Sequence, residues 1–427
     1  MLKKIVLLFF SLFLAFNIVQ RLPSNEVKSE TINSPISAVP TQTPFPDAHN
    51  VPPPGWTGRV FKLSQNYPTA MPLAENYPWK QFNLKTQPVQ YLNAVLRYGL
   101  EGNIQQDFDV RSNNVRKWYH APNMHLNQES GREFIRGLTK ERTSEKFKLH
   151  PSQNKRVQNW AVSFYNAPGG FIIGKVWADH ENPKRQFAIF PEGTVAIKLL
   201  FTQADQTLVP YLAGSLVWEA DIFRKTTTVI KPQELHLLQI DIAVRDTDTD
   251  ATTGWVFGTF IYNANRPGAT VWERLVPIGL MYGNDPTKYP FSSNTNLTET
   301  VYNPNLATEK PAGYNEFQGF NKRLNGPVDN PKSSCLSCHS TSQIPETVKP
   351  IPPPGQEPTY FRNIKAGQPF SPGSISLDYS LQLQVGLGNF TQEKRIEKNN
   401  FKILPEFFPI GRDGKIIKGF KFLGQTH

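Results

Sequence analysis

Apolar positions change their spacing several times along this chain, and each change predicts a different element. Residues 5–19 form one apolar run, preceded by Lys3 and Lys4 and followed by Arg21. A short basic start before such a run is the pattern of a secretory signal, and the run is short for a membrane span. Residues 1–21 are therefore expected to be a cleaved signal or an uncleaved N-terminal anchor. No Ala-x-Ala site follows, Ser37-Ala38 being a weak substitute, and no cysteine follows that could carry a lipid. Either outcome places the body of the protein outside the cytoplasm, in a periplasmic or other extracytoplasmic compartment. Residues 22–55 lose apolar periodicity, are rich in Pro, Ser, Thr and Asn, and end in Val-Pro-Pro-Pro-Gly. That composition predicts an extended linker.

Residues 56–158 form an N-terminal region of polar segments with helical character, among them Gly131 to Leu138. From residue 159 the pattern turns β-like. Residues 161–165 and 171–177 carry β-branched and aromatic side chains on either side of Asn166-Ala-Pro-Gly-Gly170, which predicts two strands and a turn. A second turn, Phe190-Pro-Glu-Gly-Thr194, leads into the strand pattern of 195–201. Residues 236–244 and 254–262 give two more strands, separated by an acidic run at Asp246, Asp248 and Asp250. That run lacks the glycine and distant glutamate of a calcium-binding helix-loop-helix, so it is expected to be a solvated hairpin loop. The stretch 381–385 fits either strand or helix. The fold class expected is mainly β (α+β): an antiparallel sheet in a domain over 159–345, with irregular N-terminal and C-terminal extensions, the latter over 346–427.

Within this frame the chemistry concentrates in Cys335-Leu336-Ser337-Cys338-His339, which holds both cysteines of the chain. Cys-x-x-Cys-His is the pattern of covalent c-type haem attachment. Two thiols about one helical turn apart can each form a thioether with a haem vinyl group, and the adjacent histidine supplies the proximal iron ligand. Cys335 and Cys338 are thus the expected links to one haem c, and His339 the expected ligand. A zinc site needs more ligands than this chain offers as cysteines. A thioredoxin-like motif normally opens a helix after a strand, whereas this one follows Asn-Gly-Pro and Asn-Pro-Lys turn signals. A haem-free disulfide module remains the third option.

The net charge of +11 and pI near 9.4 allow an acidic redox partner or an anionic membrane surface, or serve solubility alone. No Arg/Lys-rich helix interleaved with aromatics points to nucleic acid. Partners are therefore a redox protein or a small-molecule ligand, with membrane association through the N-terminal segment as an addition.

The sixth iron position is the open question. The methionines are Met1, Met71, Met124 and Met281, none of them after His339, and the only later histidine is His427. The common layout of small electron-transfer cytochromes, with a methionine downstream of the motif, is excluded. A second ligand must come from upstream, with Met281, His120, Met124 and His125 as candidates, or the position is open. Two protein ligands favour electron transfer; an open position favours binding or oxidising a small molecule.

Four segments occur in order: Phe190-Pro-Glu-Gly-Thr-Val-Ala-Ile-Lys198, Ile240-Asp-Ile-Ala-Val-Arg-Asp246, Gly254-Trp-Val-Phe-Gly-Thr-Phe-Ile-Tyr262 and the haem motif. In this the chain resembles the cytochrome P-460 family and its relative cytochrome c-prime-beta, over about residues 185–345. The resemblance implies a predominantly β protein with a late haem motif, a five-coordinate iron and an open distal face. It places Lys198 where some members cross-link a lysine to the porphyrin and oxidise hydroxylamine. Other members lack the link and bind nitric oxide or carbon monoxide. Lys198 also reads as an ordinary outward strand lysine. The chain departs from the family in its length, in an insertion between 262 and 335, and in the Ser-Thr-Ser-Gln-Ile-Pro that follows His339. The function expected is an exported single-haem cytochrome in electron transfer, or alternatively an oxidoreductase or binding protein acting at an open haem on a small nitrogen or oxygen species.

Overall fold

The described residues form eleven strands and six α-helices, with short 3-10 turns between them. The strands are β1 (Trp118–Tyr119), β2 (Thr139–Lys140), β3 (Asn159–Asn166), β4 (Val195–Thr202), β5 (Val217–Ala220), β6 (Gln233–Arg245), β7 (Trp255–Tyr262), β8 (Leu275–Met281), β9 (Thr300–Tyr302), β10 (Gln343–Ile344) and β11 (Ile375–Ser376). The helices are α1 (Pro88–Leu100), α2 (Ala167–Val176), α3 (Leu306–Glu309), α4 (Cys335–His339), α5 (Glu357–Tyr360) and α6 (Leu381–Ile403). These belong to a computed structural model that describes residues 45, 47, 52–124, 131–222, 231–288, 296–314 and 318–403, with side chains to 394. The expected signal, residues 22–44 of the expected linker, His125 and His427 lie outside the described residues.

Nine strands pair antiparallel in one sheet, in the order β1-β3-β4-β6-β7-β8-β9, with β2 added to β3 and β5 to β6. The mainly β class with a few helices is what the strand patterns predicted. Strand β7 is buried at every position, which suits the centre of a sheet covered on both faces. On one face lie Phe164, Ile197, Ile242 and Gly258, and against it packs α1. That helix begins at Pro88, where a missing N–H costs nothing, and buries Tyr91, Leu92, Val95 and Leu96 at helical spacing. Contact is close enough to need glycine on both sides. A Cβ on Gly99 would lie 1.6 Å from Ile197 Cδ1, and one on Gly258 2.3 Å from Leu92 Cδ2. The opposite face presents Ser163 and Tyr165 of β3, Ala196 and Lys198 of β4, Asp241 and Ala243 of β6, and Phe257 of β7, which are register partners.

Several expectations are corrected. Residues 171–177 are not a strand: 167–176 are α2. Asn166 caps it by accepting from the Gly169 N–H, and Pro168 sits in its first turn. The Asn-Ala-Pro-Gly signal is thus a helix start, since an Asn cap and an early Pro serve a helix as well as a turn. Gly131 to Leu138 is a turn rather than a helix, folded around the Glu133 carboxylate, which accepts the N–H groups of Ile135 and Leu138 at 2.7 and 3.2 Å. The acidic run does join β6 to β7 in a hairpin, but Asp246 is fully buried and bonded to Lys80 Nζ at 2.6 Å and Tyr91 Oη at 2.7 Å. Residues 381–385 begin a helix. Among the described residues no helix is long and apolar enough to cross a membrane. Strands β1 and β2, from the N-terminal region, extend the sheet at β3, and residues from Phe45 onward cluster as one unit.

Candidate functional site

The Cys-x-x-Cys-His segment is the short helix α4, and its start is secured twice. Ser334 Oγ accepts the Ser337 N–H at 3.0 Å, while Ser337 Oγ accepts the Ser334 N–H at 2.8 Å, a reciprocal capping box. Ser334 Oγ also donates to Asn284 Oδ1 at 2.8 Å, and the Cys335 N–H donates to the Leu324 carbonyl at 3.1 Å. One helical turn places Cys335, Cys338 and His339 together on the wall of a cavity of about 490 Å³, a size usual for pockets that hold small organic ligands. The cavity opens onto the sheet face carrying Tyr165, Lys198, Asp241 and Phe257, and it is bounded elsewhere by Glu141, Asp329, Ile351, Tyr379 and Val385.

The histidine is oriented. His339 Nδ1 lies 2.9 Å from the Tyr379 carbonyl oxygen. A carbonyl only accepts, so Nδ1 carries the proton and Nε2 keeps its lone pair. The ring packs on Phe257 with centroids 4.6 Å apart. Burial pushes its pKa down to about 4, so the imidazole is neutral. A metal-binding histidine needs these features: a neutral ring, a fixed tautomer and an acceptor on the far nitrogen.

Burial also pushes both thiols up, Cys335 far above its ordinary value and Cys338 to about 12, with Asp329 adding to the effect at each. Redox-active and zinc-binding cysteines need the opposite shift. Among the described residues no group of three or more His, Cys, Asp or Glu side chains is placed to hold a bare metal ion. Protonated thiols, a neutral oriented imidazole and an adjacent cavity are together the donor set that a thioether-linked haem would use.

No protein-family model, curated protein or solved structure matches this chain.

Lys198 shares the cavity with Cys335, Cys338 and His339. Its ammonium lies 3.4 Å from Glu141 Oε2 and 3.9 Å from Asp241 Oδ2. Burial alone would lower its pKa, but Glu141, Asp241 and Asp329 outweigh it and raise the value. Burial raises the Asp241 carboxyl, against the pull of Lys198 and of bonds from Gln239 and Thr259.

The other expected ligands are not brought to the cavity wall. Met281 is fully buried on β8 as the register partner of Phe257, within the core. His120 is buried beside β1, stacked edge-on against Phe61, and its Nδ1 accepts the Ser64 N–H at 3.1 Å. Met124 is buried, with its N–H given to Asp47 Oδ1 at 2.8 Å. Sequence reasoning missed Tyr379, Asp378, Glu141 and Asp329. A backbone carbonyl acceptor leaves no residue signal, and the carboxylates reach the cavity only through the folding of distant segments.

Proposed function

We propose that this chain is an extracytoplasmic c-type haem protein. It carries one covalent haem on Cys335 and Cys338, with His339 as axial ligand, and the second face of the haem is open to a small nitrogen or oxygen species. The observation that carries this reading is the oriented, neutral His339 on the wall of a cavity it shares with both cysteines. Among the described residues lining that cavity, His339 is the only histidine and there is no methionine, which favours an open sixth position over the paired ligation of an electron shuttle. The resemblance to the cytochrome P-460 family over about residues 185–345 is part of the same proposal. Within it, Lys198 is held as an ammonium by its carboxylate neighbours, which suits an electrostatic role rather than bond formation to a porphyrin through a free amine.

Optical spectroscopy of protein made in a host with c-type maturation tests all of this. The expected result is haem that survives denaturation on the chain and a high-spin reduced spectrum that shifts with carbon monoxide. Replacing Lys198 by Arg is expected to leave the spectrum unchanged. A low-spin reduced spectrum indifferent to the gas would transfer the reading to electron transfer. No covalent haem would end it.

A further inference from the structure

The tail beyond the haem motif carries an arrangement that the proposed haem site does not itself require. Asp378 is 1% exposed, and its carboxylate accepts three hydrogen bonds. They come from the Phe190 N–H at 2.7 Å, the Trp255 Nε1–H at 3.0 Å and the Gly367 N–H at 2.9 Å. Phe190 stands just before β4 and Trp255 opens β7, so one carboxylate fastens two sheet segments and a loop at one point. Burying a carboxylate is unfavourable unless it is bonded in this way. At the same place the backbone is strained: Asp378 has φ +48° and Tyr379 φ +67°, two successive non-glycine residues in the left-handed region. Strain of this kind persists only where the surroundings impose it. What the strained turn presents is the Tyr379 carbonyl, the acceptor for His339 Nδ1. The turn is also tied to the end of the haem helix, since the Leu377 N–H donates to the Ser342 carbonyl at 3.0 Å and Ser342 Oγ to the Ser380 carbonyl at 2.6 Å.

We infer that Asp378 is a positioning residue for the axial histidine: its buried carboxylate holds the left-handed turn that aims the Tyr379 carbonyl at His339 Nδ1. This rests on the haem reading above and adds to it a lever on the iron. An acceptor held against Nδ1–H makes the imidazole a stronger electron donor, which strengthens the iron–nitrogen bond and lowers the reduction potential. Asp378 lies in the C-terminal extension, yet two of its three donors, Phe190 and Trp255, come from the sheet domain.

The full-length chain, Asp378→Asn and Trp255→Phe are compared in a host with c-type maturation. The Asp378→Asn change turns an amide nitrogen toward one of the three N–H donors, whereas Trp255→Phe keeps an aromatic ring and removes one donor. The measurements are covalent haem on denaturing gels, the iron–histidine stretch by resonance Raman, and the midpoint potential. Both variants are expected to retain haem, with the stretch moved to lower frequency and the potential raised, more in Asp378→Asn. Haem-loaded variants with stretch and potential unchanged would overturn the role of Asp378 while leaving the haem reading intact. If Asp378→Asn does not accumulate, Trp255→Phe decides alone by the same two readouts. Wild-type chain without covalent haem would overturn both.

Discussion

At the scale of single residues, the cavity mixes charges that oppose one another. Asp241 faces Lys198, Asp329, Gln239 and Thr259, and burial raises its pKa to about 6. A raised carboxyl binds more protons in the folded chain than in the unfolded one. Its effect on stability is therefore favourable below about pH 4, the ordinary value for the unfolded residue, and is lost as pH rises toward 6. Asp241→Asn removes that titration and leaves Lys198 its Glu141 partner at 3.4 Å. The variant is expected to gain roughly 1–3 kcal/mol relative to wild type between pH 4 and pH 7. Denaturant midpoints measured across that range check it. A constant difference at all pH values would show that Asp241 is not shifted. None of this is readable along the chain. Asp241 is visible there as one position in a strand, and Glu141 and Asp329 come from segments about a hundred residues away on either side.

At the scale of elements, the sheet is held on its second face by α1, through glycines that let backbone approach side chain. A Cβ on Gly258 would meet Leu92 Cδ2 at 2.3 Å and Ile242 Cγ1 at 3.1 Å. Gly258→Ala is expected to cost about 1–3 kcal/mol by overpacking. Leu92→Ala alone is expected to cost about 2–5 kcal/mol through the cavity it leaves. The double variant should cost less than the sum of the two, because the added methyl occupies space that the truncation opens. Urea unfolding of the three variants measures the coupling, and additive costs would place α1 off Gly258. The elements differ in how legible they are. Strands β4, β6 and β7 show as β-branched and aromatic runs bounded by turn residues. Strand β8 contains Pro277 and Gly279, which argue against a central strand; the β7–β8 register shifts between Thr259 and Phe260, opposite Pro277, where the lost ladder bond is tolerated. Helix α1 carries a helical spacing of apolar residues after Pro88, a signal present in the sequence but absent from the expectations drawn from it. The Cys-x-x-Cys-His segment stands out as five residues, but the turn whose Tyr379 carbonyl meets its histidine does not, because nothing in Leu377-Asp-Tyr-Ser marks two left-handed residues.

For the molecule as a whole, buried titrating groups pull stability in opposite directions with pH. His120 is buried against Phe61 and Phe164 near Arg132, and burial lowers its pKa well below 6.5, with Arg132 adding to the shift. The folded chain keeps it neutral where the unfolded chain protonates it. Its contribution is therefore complete above pH 6.5 and is lost as pH falls. Burial raises Glu133, Asp241 and Asp378, and these act in the reverse sense, favouring the folded state in acid. Below pH 6.5 His120 and His339, both lowered by burial, thus offset part of what the carboxyls gain, and the wild-type profile should be shallow between about pH 4 and pH 6.5. Replacing His120 by Gln leaves an acceptor for the Ser64 N–H and removes the titration. At pH 7 the variant is expected to lose about 1–2 kcal/mol of ring packing. Toward pH 5 it should recover relative to wild type, approaching a slope of about 1.4 kcal/mol per pH unit. Melting temperatures of both proteins from about pH 4 to pH 7.5 decide it: curves that converge in acid fit a neutral buried His120, whereas parallel curves would mean that this imidazole titrates in the folded chain as it does in the unfolded one.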